Sequence, residues 1–269
     1  TCHNLAGFGV DNEATSQGED GDFGERNSPT VFNAALHNMQ FWDGRAKTVE
    51  EQAGMPILNP HEMAIPHEGF LIDRLMQEKF YQDLFAAAFP EDNQPLSYAS
   101  VQKAIGAFER TLLTPSSFDS FMEGNLGALN ATEKAGLKIF LNSGCVHCHS
   151  GVGIGGASFQ KFGIYTDYRT LTHSRVDDQG RMKVTGKKSD EDVFKAPGLR
   201  NVEKTYPYFH DGSIASLDST IRIMGKTQLN KTFSEEEVSA LISFLKSLTG
   251  DIQEDAKKVP VELSDLTKK

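Results

Sequence analysis

The sequence predicts a mainly α protein with long irregular loops, divided into two domains and closed by a tail. Apolar residues recur at three-to-four spacing in several separate stretches, the period of an amphipathic helix. Strand signals are scarce. A turn-rich stretch holding Pro115, Gly124 and Gly127 then parts the 269 residues near their middle. The division gives domains over residues 1–114 and 128–250, a linker over 115–127, and a tail over 251–269 expected to lie on the surface.

Residues 4–30 are rich in Gly, Asp, Asn and Ser without an apolar period, so they read as irregular loops. Residues 31–45 mix aromatic and turn residues. Helical spacing opens near Val49 and is expected to break at Pro56 and Pro60. Residues 68–88 read as one helical stretch, with Phe70, Leu71 and Leu75 on one face and Phe80, Leu84 and Phe85 following. Ser97 caps a clearer helix to Leu113, along which Val101, Ile105, Phe108 and Leu112 recur. Beyond the linker, Asn130 with Glu133 forms a capping box for a helix through Leu141, which delivers the chain to Cys145. Residues 150–213 are again Gly-rich and irregular, and a helix follows near 217–224. Ser234 with Glu237 opens the last helix, to Leu248, stopped by Gly250.

Hydrophobic residues make up 38% of the chain and charged residues 24%, enough for a packed core. No apolar run approaches the roughly eighteen residues of a membrane-spanning helix. Thirty-seven acidic against 27 basic residues give a formal charge of −10. That excess argues against a nucleic-acid or anionic-membrane surface and suits a basic partner. No cationic-then-apolar leader opens the sequence.

Three cysteines are too few for a disulfide scaffold, and two of them fall in Cys145-Val146-His147-Cys148-His149, the CxxCH pattern of c-type haem attachment. Two thiols one helical turn apart can add across the haem vinyl groups, and the adjoining His149 can offer its imidazole to the iron. The competing reading is a chance CxxC or half of a zinc site, which would want two further ligands, and no second CxxC follows. The third cysteine stands in Thr1-Cys2-His3. This pair fits the end of another CxxCH whose first cysteine would precede the first residue here, and the sequence is therefore expected to lack an N-terminal part. A second haem would also account for the long loops, because a large prosthetic group takes the place of part of a side-chain core.

The string resembles the bacterial dihaem cytochrome c peroxidases over nearly its whole length. The resemblance rests on Thr1-Cys2-His3-Asn4, Arg26-Asn27-Ser28-Pro29-Thr30, Phe41-Trp42-Asp43-Gly44-Arg45, Glu51-Gln52-Ala53 and Asn59-Pro60-His61-Glu62-Met63 in the first half. In the second half it rests on the complete CxxCH, Lys195-Ala196-Pro197-Gly198-Leu199-Arg200-Asn201, Tyr206-Pro207-Tyr208-Phe209-His210-Asp211-Gly212 and Ile223-Met224-Gly225. It implies two cytochrome c-like domains, one covalent haem in each, and a calcium ion between them. Electrons from a small soluble donor, a c-type cytochrome or a copper protein, would enter at the C-terminal haem and pass to an N-terminal haem that reduces hydrogen peroxide to water.

Carried across, His149 becomes the proximal ligand of the C-terminal haem and Met224 its distal ligand; a thioether opposite imidazole raises the potential of an electron acceptor. Without the family context Met224 would read as a core methionine on an amphipathic helix. His3 becomes the proximal ligand of the peroxidatic haem, Glu62 its general acid–base and Gln52 a polar group that orients peroxide. Read alone, Glu62 is a solvated loop acid or a helix cap. Trp42, the only tryptophan, would stand between the haems, as an electron-transfer aid or as a buried aromatic anchor. Asn27 and the carbonyls of Thr205 and Pro207 would hold calcium. His210 reads as a structural hydrogen-bonder, and His37, His61, His67 and His173 as surface or loop residues. Haem attachment implies a periplasmic location, and family members are often homodimers.

One departure matters. Many family members carry an iron-binding histidine where this chain has Glu19, and no His, Met or Lys lies between Gly7 and Glu25 to replace it. Three readings follow: a haem that stays open without prior reduction, a pH-dependent Glu19 ligand, or a substitution in a loop that has moved away. Two other functions compete with peroxide reduction. A dihaem electron carrier would have no need of Gln52 and Glu62. A dihaem oxidase of protein side chains would carry a tyrosine in place of Met224.

Overall fold

The computed structural model describes residues 2–260; Thr1 and residues 261–269, the end of the expected tail, lie outside the described residues. The protein is mainly helical. Residues 2–48 form single turns of 3-10 helix, Leu5–Gly7 and Ala34–Leu36, and isolated bridges such as Asn4 with Val10. The N-terminal helices are α1 (Val49–Leu58), α2 (Glu68–Leu75), α3 (Lys79–Ala88) and α4 (Tyr98–Glu109). The Thr48 hydroxyl accepts from the Glu51 N–H, and Glu50 and Glu51 add favourable charge to the first turn of α1.

Pro56 does not break α1 as expected. It lies in the last turn, where its ring forfeits one hydrogen bond, while Val49, Ala53 and Ile57 remain buried one turn apart and α1 packs on α4. Residues 68–88 are two helices instead of one. The N–H groups of Gln77 and Glu78 turn back to the carbonyls of Arg74 and Leu75, a tightened turn that ends α2. The segment expected as a linker is itself ordered: α5 (Ser117–Met122) starts at a capping box between Ser116 and Asp119.

The second half is built on α6 (Ala131–Ser143), α9 (Leu217–Leu229) and α10 (Glu235–Lys246), with two four-residue helices between them, α7 (Arg169–Thr172) and α8 (Met182–Thr185). The capping boxes at Asn130/Glu133 and Ser234/Glu237 form as the sequence predicts. α9 runs further than expected and ends where Asn230 adopts left-handed backbone, φ 51°. Among the described residues a single antiparallel strand pair, β1 (Phe159–Lys161) with β2 (Val193–Lys195), matches Phe159 to Lys195. The core lies where α6 crosses α10, around Phe140, Val238, Leu241, Phe244 and Leu248. Gly136 permits that crossing, since a Cβ there would sit 1.9 Å from the Ala240 carbonyl oxygen.

Buried polar contacts join the halves. Thr114 Oγ1 accepts from both Asn33 Nδ2 (2.8 Å) and Asn201 Nδ2 (2.9 Å), and Asn201 Oδ1 accepts from the Gly250 N–H. Arg26 grips Asp43 at 2.6 Å and Asp178 at 2.6 and 2.8 Å. The described part of the tail forms a 3-10 turn, Glu254–Lys257, against Leu5–Gly7.

Candidate functional site

The N-terminal loops, α1 and α4 enclose a cavity of about 1640 Å³, above the roughly 300–1,000 Å³ of ordinary small-molecule pockets. Cys2, His3, Gln52 and Glu62 all line it, together with Trp42 and Asn27. Residues spread over some sixty positions therefore meet around one space large enough for a haem. His3 Nδ1 lies 3.1 Å from the Gly9 carbonyl oxygen. A ring N–H donated there fixes the tautomer and leaves Nε2 bare for a metal. Burial pushes His3 below the ordinary imidazole value, against the opposing effect of the Gly9 bond, and this favours the neutral, ligating form.

Gln52 enters the cavity from α1. Glu62 stands on the turn that follows it, and Asn59 Nδ2 donates to Glu62 Oε1 at 2.7 Å, fixing the carboxylate. Glu19 is exposed at the cavity wall, and its backbone N–H donates to the Glu62 carbonyl oxygen at 2.7 Å. Gly18 allows this approach, because a Cβ there would lie 2.3 Å from the His61 carbonyl oxygen. The loop bearing Glu19 is thus seated on the loop bearing Glu62.

At the other centre, Cys145–His147 is a 3-10 turn entered through Gly144, whose φ is 96°. In such a turn positions i and i+3 eclipse, so the two thiols project from one side. Burial pushes Cys145 up to about 11 and Cys148 in the same direction. His149 Nδ1 lies 3.1 Å from the Pro197 carbonyl oxygen, the arrangement seen at His3, and burial pushes it down to about 4. Met224 is half-buried on α9, which shares its core with Cys145 and Val146 through Leu217, Ile221 and Leu229. Among the described residues no three His, Cys, Asp or Glu side chains gather as for a bare metal ion.

On the cavity wall, Trp42 Nε1 donates to the Asn27 carbonyl oxygen at 2.9 Å. Asn12 Nδ2 reaches the carbonyls of Lys204 and Tyr206, on either side of Thr205, and Asn27 Nδ2 reaches those of Glu13 and Ala14. The loops carrying Asn27, Thr205 and Pro207 are in this way tied through residues 12–14.

Two histidines differ from expectation. Among the described residues the His210 side chain makes no hydrogen bond: it is buried, its Nε2 meets no partner there, and its ring stacks on Phe194 (4.2 Å) and meets Trp42 edge-on (6.5 Å). Aromatic packing, which sequence spacing does not encode, holds it. His37 is not a free surface residue. It borders the cavity with its ring against Gly153, Gly156 and Gly198, and Lys195 Nζ lies 3.0 Å from its Nδ1. Those glycines lie more than a hundred residues away, so only the fold could reveal the contact. His61 pairs with Asp22 on the surface, His67 caps α2, and His173 is exposed.

Residues 1–127 match the family model described as Di-haem cytochrome c peroxidase, and residues 133–249 match that for Cytochrome c. The chain is 46% identical over 253 residues to a cytochrome c551 peroxidase of Nitrosomonas europaea, covering 93% of this chain and 73% of that protein. It is 44% identical to one of Pseudomonas aeruginosa, covering 93% and 72%. A solved MauG-like protein associated with microbial copper homeostasis superposes with a TM-score of 0.83 at 26% identity, over 96% of this chain and 86% of that one.

Proposed function

The chain belongs to the di-haem cytochrome c peroxidase family, and from that premise we propose that it reduces hydrogen peroxide to water in the cavity of its N-terminal half. The observation that carries this reading is the shared wall: His3, Gln52 and Glu62 border one haem-sized space. When bound there, a haem supplies an iron that binds peroxide and passes it electrons. His3 would hold that iron through Nε2, with Cys2 as a thioether link. Cys145, Cys148, His149 and Met224 would hold the second haem.

The reaction consumes one peroxide, two electrons and two protons and yields two waters. The residues here manage the protons. Glu62, aimed by Asn59, takes a proton from one peroxide oxygen and returns it to the departing one, while the Gln52 amide orients the molecule. A pure electron carrier has no use for a carboxylate fixed in this way. Electrons arrive from a small redox protein whose basic face suits the −10 charge, and Trp42, on the cavity wall, would aid their passage between the haems. Calcium, bound by Asn27 Oδ1 and the carbonyls of Thr205 and Pro207, would brace the loops around Trp42. The haem attachment chemistry belongs to a periplasmic protein, and a homodimer is the expected assembly.

Replacing Glu62 with Gln is expected to cut peroxide turnover by about 10²–10⁴-fold while haem content and optical spectrum stay as in the wild type. Full activity in E62Q would refute the proton role. The exposed Glu19 carboxylate, a weak iron ligand that also prefers water, supports a site that stays open without prior reduction. Electron paramagnetic resonance of the fully oxidised two-haem protein should then contain a high-spin ferric signal from the N-terminal haem near neutral pH. Two low-spin haems would mean that some sixth ligand closes the site.

A further inference from the structure

We propose that Lys195, positioned by His37, is the cation that pairs with a carboxylate side chain of the N-terminal haem, reaching into that cavity from the C-terminal half. The inference rests on the reading of the cavity as a haem site. Haem carries two carboxylates, and a site that takes them out of water must offer them donors or charge.

Of the cations that line this cavity, Lys195 is buried and Arg26 nearly so, while Arg45, Arg74 and Lys183 are more open to solvent and Arg45 and Lys183 already pair with Asp43 and Glu25. Arg26 is spoken for, since Asp43 and Asp178 occupy its guanidinium. Lys195 is 6% exposed, and among the described residues its ammonium bonds only to an imidazole, 3.0 Å away. No carboxylate partners it there. An ammonium has three N–H donors and His37 Nδ1 can take one, so two remain for the cavity. Burial and the nearby ammonium push His37 down to about 3, which keeps it a neutral acceptor, and burial pushes Lys195 down to about 8. A charge in this setting is a half-made ion pair.

The surroundings hold the pair in place. A Cβ at Gly156 or Gly198 would lie 2.1 or 2.5 Å from the His37 ring, so this wall is shaped to the imidazole. The Lys195 backbone N–H donates to the Trp42 carbonyl oxygen at 2.7 Å, and β2 pairs with β1, fixing the root of the side chain. Two residues on, the Pro197 carbonyl oxygen orients His149. One short segment of the C-terminal half would therefore serve both haems: Lys195 at a carboxylate of the first, Pro197 at the iron ligand of the second.

The test compares Lys195→Met, Lys195→Arg and the wild type as full-length protein, with haem counted per chain and both midpoint potentials followed by optical titration. Removing a cation beside a haem disfavours its reduced state. K195M should lower the N-terminal midpoint by at least tenfold in the reduction constant, about 59 mV for one electron. The C-terminal midpoint should stay unchanged, and K195R should retain both. The carboxylate-bending band of the N-terminal haem in resonance Raman should shift in K195M only. Loss of the N-terminal haem from K195M with retention in K195R also supports the pairing. Unchanged midpoints in K195M, equal shifts at both haems, or loss of the haem from both variants would overturn it. A wild-type protein with haem only at Cys145 and Cys148 would overturn the cavity reading itself, and the inference with it.

Discussion

Glu109 illustrates how much a single side chain can depend on its surroundings. On the sequence it is a polar residue inside a stretch expected to be helical to Leu113, yet it ends α4, is 6% exposed and borders the same cavity as His3. Burial, helped by Glu50, raises its carboxyl to about 7. A carboxyl raised on folding stabilises the protein fully below its unfolded value and loses that contribution as pH rises through about 7. Stability should therefore fall between about pH 4.5 and 7 by on the order of 2 kcal/mol, and Glu109→Gln should flatten that slope in denaturant titrations at a series of pH values. An unchanged slope would show that Glu109 ionises as an ordinary surface acid. Glu62 differs in kind. Its neighbours were legible only through the family pattern, because the Asn59 bond that aims it arises from a turn with no periodic signature.

At the scale of elements, the sequence spoke clearly where local chemistry decides. Capping boxes at Asn130 and Ser234 start helices because a side-chain oxygen and a carboxylate satisfy N–H groups within the same turn. Helix ends were less legible. Pro56 was expected to break α1 and does not, because burial of Val49, Ala53 and Ile57 outweighs one lost bond in the last turn. The reverse holds at residues 76–78, where continuous apolar spacing hides a tightened turn. The crossing of α6 and α10 depends on Gly136. Gly136→Ala would drive a methyl group into the Ala240 carbonyl, and overpacking of this kind costs about 1–3 kcal/mol or more. Thermal melting monitored at the helical signal should shift downward accordingly; an unshifted melt would mean that the helices slide apart at little cost.

For the whole molecule, the two halves meet through buried polar groups. Thr114 accepts from Asn33 in one half and Asn201 in the other, and all three are almost wholly buried. Thr114→Val keeps the shape and leaves two amides without an acceptor, at about 1–3 kcal/mol for each unsatisfied group. Denaturant unfolding should report a loss of several kcal/mol with little change at either haem. A loss below about 1 kcal/mol would mean that water replaces the hydroxyl.

By itself the sequence determined what short-range chemistry determines. The CxxCH turn, the helix caps, the mainly α class and the family resemblance are written in residues that lie close together or in fixed order. The resemblance already put Gln52 and Glu62 beside His3, and the structure lines one cavity with all three; only the tertiary structure decided that His37 lies beneath three distant glycines, and that Lys195 faces that cavity without a counter-charge among the described residues. Such contacts depend on loops closing over long separations, and burial then fixes which charges are matched. No local pattern of residues carries either quantity.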